Sequence, residues 1–318
     1  MEYQPVSHAA TQRRLGRLPS GADITVTVHR YDGGAGPTVY VQAAQHGIEL
    51  NGPAALRRLH DRLLATEVAG TVVIVPVVNS LAFDHRSYAT PSAYDVMNPN
   101  MNRVWPGDSD GTLQERLADR LWDLVSDADA AIDLHTGTAD MLEHVRFQAD
   151  RPAARTLATA FGTKHLLSDE DDASDDDEFS GKFRTAAARE DIPAITAELR
   201  NSRQVTRSAI ESGVEGVLNV LRAVDVLEPV VAEPPEQHLL RDDATAAVAA
   251  ESGLFEARPD VAVGDRVGAG DELGTVYCPS SFDRLQTVTA EDGGVAYSLT
   301  REAVVVAGER LAGIGTPV

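Results

Sequence analysis

Two histidines and a glutamate stand where this sequence could hold a metal ion. His46-Gly47-Ile48-Glu49 lies between the apolar run 38–44 and the segment Pro53-Ala54-Ala55-Leu56-Arg57-Arg58-Leu59, which read as a buried strand and a helix opened by proline. The imidazole and the carboxylate therefore fall on a strand-end turn, three residues apart, where both can reach one cation. A second histidine comes from Ala130-Ala131-Ile132-Asp133-Leu134-His135-Thr136-Gly137, another apolar strand that ends on a polar residue beside a glycine. Two imidazoles and one carboxylate suit zinc, one ion per chain. They leave a fourth position for water, the arrangement of a catalytic rather than a structural site. Asp133 shares a face with His135 by the two-residue period, and both a partner for the ring and a buried structural carboxylate fit it. His85 and His144 are not expected to be ligands, because three are already assigned.

These groups need a sheet to position them. Residues 23–31 alternate apolar with polar as a half-exposed strand, and 32–37 turn the chain. The β-branched run 71–78 suits a central strand covered on both faces. Strands alternating with helices predict an α/β sheet with functional loops at the strand ends. A long polar loop is read over 79–107, and the apolar period over 111–128 predicts a helix against the sheet. Ala194-Ile195-Thr196-Ala197-Glu198-Leu199-Arg200 reads as a further strand ending in charge, and 208–227 as an amphipathic helix closing the main domain. Three prolines in 228–237 mark a linker. Beyond it, short apolar runs separated by glycines predict a small β barrel or sandwich. The expected division is a main domain over 1–230, which carries the candidate metal group, and a β domain over 238–318.

In order along the chain, His46-x-x-Glu49, Asn102-Arg103, Asp133-Leu134-His135-Thr136 and Glu198 resemble the succinylglutamate desuccinylase and aspartoacylase family, a branch of the zinc carboxypeptidase superfamily. The resemblance covers nearly the whole chain. It implies a zinc-carboxypeptidase-like mixed sheet flanked by helices, with a lipoyl-type β module at the tail. That module has no lysine on a hairpin tip to carry lipoate or biotin, which leaves shielding of the active site or an oligomer interface as its role. By the same resemblance Glu198 is the general base, Arg86 stabilises the oxyanion, and Asn102 with Arg103 grips a substrate carboxylate. The residue types fit these duties: a carboxylate can carry a proton from water to a departing amine, and a guanidinium can fork onto a carboxylate or meet a developing negative charge. One departure stands out. The family usually reads Asp-Leu-Asn-Arg, whereas this chain has Asn100-Met101-Asn102-Arg103. The implied activity is a zinc-dependent amide hydrolase that releases an amine or amino acid from an N-acylated small molecule. A metallocarboxypeptidase acting on peptides and a non-catalytic zinc-binding protein are the alternatives.

Composition narrows the setting. The formal charge is −21, from 49 aspartates and glutamates against 28 lysines and arginines. Such a surface repels nucleic acid and anionic membranes. Lys164 and Lys182 are the only lysines, and an acidic, lysine-poor surface resembles proteins from salt-loving organisms. The run 168–180 holds eight carboxylates but neither the glycine turn nor the alternating ligands of a calcium loop, and a solvated, mobile surface loop is expected. Cys278 is the single cysteine, which excludes an intrachain disulfide and fits a cytoplasmic protein. Arginines 13, 14 and 17 are not followed by an apolar stretch, and no secretory signal is expected there.

Overall fold

A computed structural model describes residues 1–137, 140–169, 181–230, 236–301 and 304–318. The main strands that precede the tail are β1 (Ser7–Arg17), β2 (Asp23–Asp32), β3 (Thr38–Ala43), β4 (Thr71–Val75), β5 (Ala130–Gly137), β6 (His144–Gln148), β7 (His165–Asp169) and β8 (Ala194–Asn201). A ninth, β9 (His238–Arg241), comes from the tail. They lie side by side in the order β9-β7-β6-β8-β5-β3-β4-β2-β1. The centre, from β8 through β5 and β3 to β4, is parallel, while β6, β2 and β1 introduce antiparallel pairs. Alternating strands and helices predict the α/β sheet, and its mixed character is what the family resemblance implies.

The central strands are apolar on both faces because helices cover both. Val39, Val41 and Ala43 join one core with Leu59 and Leu63 of α1 (Asn51–Leu64), and with residues of two further helices, Pro152–Phe161 and Arg207–Ala223. Tyr40 and Val73 point the other way, into a second core with Leu117 and Leu121 of the helix Leu113–Trp122 and Phe183 of the helix Phe183–Arg189. The period-two alternation of strand side chains produces this division.

Three expectations change in detail. The β-branched run ends as a strand at Val75, where Pro76 removes a ladder donor. The segment expected as loop after Asn79 opens with a helical turn, Ser80–His85, because the Asn79 side chain caps it by accepting the Ala82 N–H at 3.1 Å. Asp169 belongs to β7, not to a solvated loop, and its carboxylate is ion-paired with Arg146 and Arg184. The remainder of the expected acidic loop, 170–180, lies outside the described residues, as do 231–235 of the expected linker.

The tail is rich in short strands, as its glycine spacing suggests. Four of them, Gly253–Ala257, Glu272–Tyr277, Arg284–Thr289 and Val304–Val305, form a separate sheet. Others extend the large sheet: β9 lies parallel to β7, and the strand Arg310–Pro317 pairs with β9. Among the described residues no helix is long and apolar enough to cross a membrane.

Candidate active site

His46 and Glu49 follow β3 on the turn that leads into α1, and His135 lies in β5 beside it. All three are buried, and each offers a ligand atom within 4.8 Å of the others. Glu49 sits between the rings, with Oε1 2.8 Å from His46 Nδ1 and Oε2 3.0 Å from His135 Nδ1. The far nitrogen of each ring is occupied. His135 Nε2 lies 2.7 Å from Asp133 Oδ2, and His46 Nε2 lies 3.1 Å from Asn100 Oδ1. Each ring turns Nδ1 towards Glu49 and Nε2 towards an outer acceptor, and with a cation in place of the Nδ1 proton this is how histidine ligands are usually held. Asp133 is thus the partner of His135.

Electrostatics fit a cation. Burial disfavours a proton on His135, yet Asp133 and Glu49 outweigh it and hold its pKa well above the usual histidine range. Burial also works against an ionised Glu49, but His46 and His135 prevail and hold it low. A buried carboxylate and two imidazoles with aligned donor atoms match the ligand chemistry of zinc and similar divalent ions.

Glu198 stands opposite His135 in the parallel pair of β8 and β5. Its Oε2 is buried and has no hydrogen-bond partner among the described residues. Burial raises its pKa, and Glu49 adds to the rise, while His135 opposes it. A buried acceptor without a donor is costly unless something else occupies its lone pairs.

The other expected residues come from the segment after β4. Arg86 is exposed, in a left-handed conformation (φ 53°) that ends the Ser80–His85 turn. Two residues later Tyr88 lies flat against the His46 ring, with centroids 3.9 Å apart. Asn102 Oδ1 accepts the Phe183 N–H at 3.0 Å, which orients the amide and leaves its NH2 as donor. Arg103 is exposed, with Nη1 donating to the Asn102 carbonyl at 2.8 Å. His85 and His144 are outside the metal-binding group: His85 Nδ1 bonds the Leu81 carbonyl, and His144 Nδ1 the Leu142 carbonyl.

The profile of the succinylglutamate desuccinylase/aspartoacylase catalytic domain matches residues 35–224, a span that contains every residue named above. The chain belongs to this family. It is 32% identical over 256 residues, 77% of this chain and 71% of the other, to the N-alpha-acetyl-L-2,4-diaminobutyric acid deacetylase of Halomonas elongata. Among solved structures, the product-bound ectoine utilization protein EutE (DoeB) from Ruegeria pomeroyi is similar with a TM-score of 0.84 and 25% identity, covering 99% of this chain and all of that one. The succinylglutamate desuccinylase/aspartoacylase from Rhodobacter sphaeroides is similar with a TM-score of 0.82 and 25% identity, over 99% and 96%. As a member of the family the chain is an amide hydrolase that acts on carbon–nitrogen bonds other than peptide bonds.

Four residues of this family member escape a reading of the sequence. Asp133 accepts from Gln42 Nε2 at 3.2 Å and Gln45 Nε2 at 2.6 Å, and Gln45 Oε1 accepts from Trp105 Nε1 at 2.7 Å. Tyr88 is the fourth. Glutamine within an apolar strand was the available signal, since a buried amide demands partners; nothing in the sequence marks Tyr88 or Trp105.

Proposed function

We propose that the chain is a zinc-dependent deacylase that releases a free amino acid from a small N-acyl amino acid in the cytoplasm. The observation that carries this reading is the buried Glu198 Oε2, without a hydrogen-bond partner among the described residues, beside the His46, Glu49 and His135 group. A zinc ion there would supply Lewis acidity towards an amide carbonyl and make a water molecule more acidic.

Every other duty falls to the chain. Glu198 takes the proton of the attacking water and returns it to the departing nitrogen, a task suited to a carboxylate whose pKa is raised by burial. Arg86 faces the developing oxyanion, and the oriented NH2 of Asn102 joins Arg103 in binding the substrate carboxylate. Asp133 and Asn100 fix the two imidazoles, and the Tyr88 ring covers His46. The tail reaches the strand beside that of Glu198: Asp242 pairs with Arg146 of β6 at 2.8 Å and accepts from the Tyr297 hydroxyl at 2.8 Å. The similarity to a diaminobutyric acid deacetylase makes N-acetyl-2,4-diaminobutyrate the first substrate to test.

The experiment follows amine release from N-acetyl-diaminobutyrate, other N-acetyl, N-succinyl and N-formyl amino acids, and short peptides, with added zinc. Glu198→Gln is run in parallel with its zinc content measured. Release from one acyl class, reduced by about 10²-fold or more in the variant with zinc retained, supports the reading. Release from peptides alone, or full activity in Glu198→Gln, overturns it.

A further inference from the structure

A second cluster of side chains that could hold a metal lies at the β1 edge of the sheet, away from the central strands that carry the first. His8 on β1, His29 on β2 and His60 on α1 bring one ligand atom each to within 4.8 Å of one another, and all three are partly exposed. From β5 to β2 there are three strand spacings, roughly 14 Å, which separates this cluster from His135.

Strand register builds it. His8 is opposite Tyr31 and Ala10 is opposite His29, so His8, His29 and Tyr31 share one face by the two-residue period. α1 covers that face and lowers His60 onto it: the His60 ring lies 5.0 Å from His8 and 5.9 Å from His29, centroid to centroid. His8 Nε2 and His29 Nδ1 are 3.2 Å apart. Two imidazole nitrogens bound to one tetrahedral zinc at about 2.0–2.1 Å are separated by about 3.4 Å, so this pair already has the spacing of ligands. The third ring is also held as ligands are held. Tyr31 Oη lies 2.7 Å from His60 Nδ1; with that nitrogen donating to the buried phenol, Nε2 keeps its lone pair.

We propose that His8, His29 and His60 form a binding site for a divalent transition cation of the zinc, copper or nickel type, distinct from the active site. Three neutral imidazoles without a carboxylate favour these ions over magnesium or calcium. The partial exposure of all three rings leaves the remaining coordination position to water. The site joins two strands and a helix that are distant in sequence, and the helix is the one that begins at the active-site turn. Occupancy therefore clips the edge strand β1 to α1.

The test uses the full-length chain, stripped with chelator and titrated with zinc in excess magnesium, which occupies the surface carboxylates. Bound zinc is measured by equilibrium dialysis and elemental analysis. Two tight equivalents are expected for the wild type and one for His8→Gln or His29→Gln, whose hydrolase activity is unchanged. In His46→Gln, which lacks an active-site ligand, zinc should still raise the melting temperature, and the added His60→Gln should remove that rise. His60→Gln, on the partly exposed face of a helix, also replaces either strand variant that does not fold. A single equivalent in the wild type, or a second one that survives both His29→Gln and His60→Gln, overturns the proposal.

Discussion

Asn100 Oδ1 lies 3.1 Å from His46 Nε2, so an amide stands where the family resemblance carries an aspartate, and it still holds a metal-facing ring. The same oxygen accepts the Asn102 N–H at 2.9 Å. One side chain thus fixes both the His46 tautomer and the start of the turn that presents Asn102 and Arg103. A neutral acceptor makes the imidazole a weaker donor to a cation than a carboxylate would.

Asn100→Asp should therefore bind zinc more tightly than the wild type, and Asn100→Ala should bind it about 10-fold or more weakly. Competition with a chromogenic chelator reads both. Equal affinity in all three proteins would show that His46 needs no acceptor at Nε2.

Asn51 ties the start of α1 to the end of the strand that carries Glu198. Its Nδ2 donates to the Leu199 carbonyl at 2.8 Å, and its Oδ1 accepts the Thr206 N–H at 3.0 Å. Asn51→Ala leaves buried backbone groups without partners and should cost about 1–3 kcal/mol in urea unfolding. It should also lower kcat, since Glu198 lies one residue before the loosened carbonyl. An unaltered kcat would separate that tether from catalysis.

Acid should weaken the joint between tail and catalytic sheet. Burial raises the pKa of Asp242, but Arg146 outweighs it and the net value falls to about 2. A carboxyl depressed in the folded state adds stability above its unfolded value, near 4, and loses it as pH falls towards 2. The contribution at neutral pH is about 2 kcal/mol. Asp242→Asn should flatten the stability profile between about pH 4 and pH 2, measured by chemical denaturation; an unchanged profile would exclude this pair as its source.

Salt should stabilise the chain. With a formal charge of −21, self-repulsion is screened as the Debye length falls from about 10 Å at 0.1 M to about 3 Å at 1 M salt. The melting temperature should climb across that range in potassium chloride. A flat or falling curve would mark an ordinary acidic protein.

What the sequence made legible was whatever announces itself locally. Strands β3, β5 and β8 were visible as apolar runs ending in charge, and His46, Glu49 and His135, which could hold a metal, stood near the ends of the first two. Among the partners of those residues, Asp133 was one of two readings from the strand period, and the others were not visible. Asn100 reaches His46 across 54 positions and Gln45 reaches Asp133 across 88, distances over which no period or spacing carries information. The triad of His8, His29 and His60 was hidden for the same reason: its members lie on an edge strand, its neighbour and a helix, and only register brings them together. Asp169 shows the opposite failure. Its place in a run of carboxylates suggested solvent, whereas strand pairing with β6 sets it against Arg146.

The pairing of β9 with β7 bears on how this protein can be handled. Cutting the chain at residue 230 would strip a parallel neighbour from β7 and leave its backbone donors and acceptors bare at a new sheet margin. The same cut removes Asp242, and among the described residues Arg146 would keep Asp169 alone as an ion-pair partner in a largely buried place. A truncated product would be a sticky fragment rather than a smaller enzyme, so exchange of tails between relatives has to carry β9 and its acidic residue along with the module.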